Sequence, residues 1–127
     1  MTRSCHGRST WTTIGRLHTW LGEATACPPG EATLFRILKL SEEVGEVAQA
    51  VIGATGQNPR KGVTHTWQEV EGELCDVIVS AMVALRTLTP DASDVFAAHL
   101  RRVEERSLQV SAKAAGQPYE AVKEPRE

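Results

Sequence analysis

The chain has 127 residues, enough for one domain with a real core. Its 41% apolar and 24% charged residues exclude both a disordered polymer and a membrane-embedded protein. A net charge of -2 and a pI near 6.1 give no reason to expect a nucleic acid polymer or an anionic membrane as partner.

Residues 1–10 lack an apolar run of signal-peptide length and are expected to form a flexible tail. Trp11, Ile14, Leu17 and Leu21 recur at helical spacing, which predicts a first helix from Trp11 to Glu23. Cys27, Pro28, Pro29 and Gly30 break it. From Glu31 to Gly53, the residues Leu34, Ile37, Leu40, Val44, Val47 and Val51 keep a 3.6-residue period and predict a second helix.

Residues 53–64, GATGQNPRKGVT, carry three glycines and a proline without apolar periodicity and read as a loop. The loop is not a phosphate-cradling P-loop, because GxxxxGK[ST] is missing. Thr66 and Glu69 match a capping box, so a third helix should start there and run to Leu88. This helix is apolar around nearly its whole circumference, which implies burial on two sides and hence dimerisation. Thr89 as N-cap with Pro90 at the first turn predicts a fourth helix through Phe96, Val103 and Val110.

Residues 113–127 read as a second flexible tail, leaving 11–112 as one helical domain. Four helices with short connections imply an all-α, four-helix-bundle-like fold, dimeric or higher. The cysteines Cys5, Cys27 and Cys75 form no CxxC pair, and His6, His18, His65 and His99 show no ligand spacing. A reducing cytoplasm suits such a chain.

The informative feature is a pair of acidic motifs: Glu42, Glu43 and Glu46 on the second helix, Glu73 and Asp76 on the third. At about 100° per residue, Glu43 and Glu46 share one face at the edge of the apolar stripe. Glu73 and Asp76 occupy the matching flank of their own helix. Packed together, the helices would converge four carboxylates, a cluster tolerable only if protonated or neutralised by a cation. Oxygen-only ligands point to Mg2+, with Mn2+ as alternative. A magnesium site of this kind suits polyphosphate binding and attack of water on phosphorus.

Taken whole, KLSEEVGEVAQA (residues 39–50) with ELCDVI (residues 73–78) resembles the signature of the MazG-type all-α nucleoside triphosphate pyrophosphohydrolases. The resemblance spans about Leu34 to Leu88. It implies a helical-bundle homo-oligomer, dimer or tetramer, that splits a nucleoside triphosphate into monophosphate and pyrophosphate with magnesium. It further implies that Glu43, Glu46, Glu73 and Asp76 are metal ligands. Glu42 would orient the attacking water or hold a second metal, so Glu42 and Glu43 are the candidate catalytic pair.

Lys39, Arg60, Lys61 and Arg106 are candidate phosphate contacts; Lys39 equally suits an i,i+4 ion pair, and Arg101, Arg102 and Arg106 more commonly would form a merely solvated basic face. Trp20, Phe35 and Trp67 are candidate base-stacking residues, with core packing as the commoner role for large aromatics. The chain departs from the family where many relatives carry an Asn about ten residues after the aspartate: Leu85, Arg86 and Thr87 stand there, which leaves the nucleotide contacts of this stretch unassigned. Two other functions stay open: a phosphoribosyl-ATP or deoxynucleotide-specific pyrophosphatase of the same superfamily, and a helical dimer that binds nucleotide for regulation without turnover.

Overall fold

The computed structural model describes residues 9–116, the side chains of 110–112 excepted. Of the expected tails, 1–10 and 113–127, residues 1–8, with Cys5 and His6, and 117–127 lie outside the described residues. Among the described residues all four elements are α-helices: α1 (Thr10–Ala24), α2 (Pro29–Thr55), α3 (Trp67–Leu88) and α4 (Ala92–Gly116). Among the described residues no helix is long and apolar enough to cross a membrane. The chain divides into two compact units, Met1–Ala92 with α1 to α3 and Ser93–Glu127 with α4.

Local chemistry sets each boundary. Ser9 caps α1 by accepting the Thr12 amide at 3.2 Å. Helix α2 begins two residues earlier than the expected Glu31, because Pro29 at the first helical position has its φ preset and gives up no needed donor. It also runs past the expected stop at Gly53. The left-handed residue that ends it is Gly56, with φ of 64° and its amide bonded to Ile52 O. Gly53 stays helical for another reason: a Cβ there would collide with the His65 ring and with Thr64 Oγ1, while the Thr64 amide donates to Gly53 O at 2.9 Å. The loop after α2 folds back over a glycine because only a glycine leaves room.

The capping box at α3 is present as expected. Thr66 Oγ1 accepts the Glu69 amide at 3.2 Å, and Glu69 Oε2 accepts the Thr66 amide at 2.6 Å. The expected N-cap role of Thr89 needs correction. Thr89 is the C-cap of α3, and its hydroxyl accepts the Asp91 amide at 3.1 Å in a turn, so α4 starts at Ala92. Helix α4 then continues to Gly116, past the point where a tail was expected, and Thr10 is likewise helical.

In the first unit α3 packs against both α2 and α1. The buried residues there are mostly small: Ile14, Ala50, Gly53, Val70, Val83 and Ala84. Large apolar side chains stay outside. Leu34, Leu38 and Ile52 on α2 and Leu74, Ile78 and Leu88 on α3 are all exposed in the single chain. Trp20, Phe35 and Trp67 are exposed as well, contrary to the commoner expectation that they fill the core.

Candidate metal centre and adjoining groove

Helices α2 and α3 place their acidic motifs together. Glu43, Glu73 and Asp76 each offer a carboxylate oxygen, all lying within 4.8 Å of one another. Glu43 is buried, Glu73 half-buried and Asp76 exposed, so the cluster opens from the α2–α3 seam to solvent. The i,i+3 spacing of Glu73 and Asp76 puts both on one face of α3, and the packing turns that face toward Glu43.

Glu46 borders the same cluster. Its carboxyl is raised above the usual carboxylate range, first by a hydrogen bond to Glu43, then by burial and by the charges of Glu43, Glu73 and Glu42. Glu42 stands outside the trio but beside it: its exposed carboxylate meets Lys39 Nζ at 3.0 Å. Lys39 also lies 3.3 Å from Glu43 Oε1, and these two carboxylates, Glu42 first, hold its ammonium above the ordinary lysine range. Ser80 Oγ donates to Glu43 Oε1 from across the seam at 3.5 Å. Glu43 is thus approached by an ammonium from its own helix and a hydroxyl from the next.

The donor set fits a hard divalent cation. Magnesium–oxygen distances of about 2.1 Å put ligand oxygens roughly 3 to 4 Å apart, close to the spacing of at most 4.8 Å among these three carboxylates. No imidazole or thiolate belongs to the cluster, so softer metals have no preferred ligand in it.

Beside the cluster lies a groove of 360 Å³ bounded by all three helices of the unit. Leu17 and Leu21 from α1, Phe35 from α2, and Val79 and Val83 from α3 make it apolar. Lys39 and Ser80 belong both to its lining and to the surroundings of Glu43, which joins groove and carboxylates into one site. Arg36, unremarked in the sequence, lines the same groove; its signal was its position two turns before Glu43 on the same face of α2.

Two other expected phosphate contacts, Arg60 and Lys61, are not gathered here. Both sit in the α2–α3 loop, where the Arg60 amide donates to Asn58 Oδ1 at 3.0 Å and Lys61 lines a separate groove with Asn58 and His65. Among the described residues neither forms an ion pair with the acidic cluster. Arg106 belongs to the second unit, where its Nε donates to Arg102 O at 3.3 Å and it shares one face of α4 with His99 and Arg102. Of the aromatic candidates, Phe35 lines the apolar groove, whereas Trp20 lines another, with Arg16 and Arg86.

In comparisons with protein-family models, curated proteins and solved structures, nothing matches this chain.

Proposed function

We propose that the chain is a magnesium-dependent nucleoside triphosphate pyrophosphohydrolase, releasing nucleoside monophosphate and pyrophosphate, as its resemblance to the MazG type implies. The observation that carries this reading is the convergence of Glu43, Glu73 and Asp76 from two helices, next to an apolar groove of nucleoside size. A solvated acidic face would have no reason to bury one member, surround it with an ammonium and a hydroxyl, and border it with apolar walls.

Glu43, Glu73 and Asp76, with Glu46 beside them, would hold the cation. When bound, a divalent ion supplies charge to phosphate oxygens and acidifies water. The chain's own groups supply the rest. Lys39 neutralises phosphate charge at the junction of cluster and groove. Glu42 orients the water and takes its proton as a P–O bond forms to the attacked phosphorus and the phosphoanhydride bond breaks toward pyrophosphate. The apolar groove holds the nucleoside and excludes water from its side.

Assembly belongs to the same reading. The exposed stripe Leu74, Ile78 and Leu88 of α3, with Leu34 and Leu38 of α2, suits a second copy of the chain, whose matching stripe would bury both.

The test is pyrophosphate release from a panel of nucleoside triphosphates with Mg2+, against EDTA and against Glu43→Gln and Asp76→Asn. Magnesium-dependent release lost in both variants supports the reading. Tight nucleotide binding without release from any substrate would instead favour the regulatory dimer.

A further inference from the structure

Resting on the reading that the groove takes a nucleoside, we infer that Arg36 is a specificity-determining residue, selecting bases that present hydrogen-bond acceptors at the groove's far end over bases that present an amino group there.

The groove's walls are apolar, and its polar side chains are Thr25, Arg36, Lys39 and Ser80. Lys39 is committed to Glu42 and Glu43, and Ser80 to Glu43. No carboxylate and no amide lines it, so an exocyclic amino group finds no strong acceptor among the side chains there. Arg36 is the charged donor left over.

The guanidinium is held in place. Its Nη1 donates to Thr87 Oγ1 at 3.0 Å, and the Thr87 hydroxyl in turn donates to Val83 O at 2.8 Å. That chain uses one of five N–H groups and fixes the plane of the fork. Among the described residues no carboxylate forms an ion pair with Arg36, although it is only half-exposed. The charge is felt nearby: the His18 imidazole is held below its ordinary range by burial, then by the charges of Arg36 and Arg86. A half-buried guanidinium without an anion is an unmet demand for acceptors.

Its position along α2 supplies the register. Arg36 precedes Glu43 by seven residues, about 10 Å along the helix axis. A nucleotide with its phosphates at the carboxylates would therefore bring the outer edge of its base to the fork. Guanine meets it with O6 and N7, and uracil or thymine with O4. Cytosine turns N–H2 toward it, donor against donor, and adenine can meet only one arm of the fork, with N7, while its N–H2 opposes the other. A site that satisfies one partner and leaves the other unpaired discriminates by at least about tenfold.

The test compares kcat/KM for GTP and UTP with that for ATP and CTP in the full chain with Mg2+. The expected result is a preference of at least about tenfold for the oxo bases, collapsing toward one in Arg36→Met, with the loss falling on GTP and UTP. Arg36→Lys, which keeps the charge but loses the fork, and Thr87→Val, which frees it, should each lower the ratio partway; thermal melting checks that all three fold. No preference in the wild type, or one that Arg36→Met leaves intact, overturns the inference while hydrolysis itself stands. If no nucleotide is hydrolysed, titration of GMP and AMP still decides, read on the Arg36 Nε–Hε resonance. A shift with GMP alone supports the inference, and an equal response or none overturns it.

Discussion

Lys39 Nζ lies 3.3 Å from Glu43 Oε1, one turn earlier on the same helix, so the most buried carboxylate of the cluster carries its counter-charge within its own element. A divalent cation arriving at Glu43 must compete with that ammonium. Lys39→Met is therefore expected to tighten Mn2+ binding by up to about fivefold, the worth of one partly exposed ion pair, while lowering the melting temperature in EDTA. Turnover should fall in the same variant, since a phosphate contact goes with the charge. Calorimetric Mn2+ titration checks the first point; weaker binding would show that Lys39 supports the metal rather than replacing it.

The His18 imidazole has its pKa below the ordinary value of 6.5, through burial and then the charges of Arg36 and Arg86. Between the folded and unfolded values the unfolded chain binds more protons, so stability rises with pH across that window. Wild-type protein should thus lose stability as pH falls through 6.5 toward the lower folded value, and His18→Gln should lose less. Melting temperatures of both proteins from pH 7.5 to 5 test this. Parallel curves would mean that His18 is not disfavoured when charged.

Gly53→Ala should destabilise the first unit by about 1–3 kcal/mol, because the added methyl meets the His65 ring and Thr64 Oγ1. Gly45→Ala has open space around its Cβ and serves as control, expected to be neutral or slightly stabilising. Urea unfolding distinguishes the two. Equal effects would mean that the loop yields at no cost.

Ile78→Glu, on the exposed stripe of α3, should leave the chain folded and convert an oligomer into a monomer, read by light scattering after size exclusion. Wild type that is already monomeric would remove the assumed partner.

Much of this was legible in the residues because the governing interactions are local. The α3 start follows from two side chains three apart, Thr66 and Glu69, and the face shared by Glu73 and Asp76 follows from helical geometry alone. Gly53 was misread as the end of α2 because the reason it is glycine lies twelve residues away, in His65. Thr89 has good N-cap chemistry, but its hydroxyl serves a turn and its backbone closes α3. Ser80 against Glu43 and Arg36 against Thr87 depend on the register of α2 on α3, which no single-helix pattern encodes. The exposed Trp20, Phe35 and Trp67 escaped because composition says how many aromatics there are, not whether one chain suffices to bury them.

The most direct test is the position of Mn2+ in crystals of the chain, located by anomalous scattering. A peak bonded to Glu43, Glu73 and Asp76 at about 2.1–2.2 Å is expected, absent in Asp76→Asn. Well-ordered crystals grown in Mn2+ with no peak among these three carboxylates would contradict the proposed metal site.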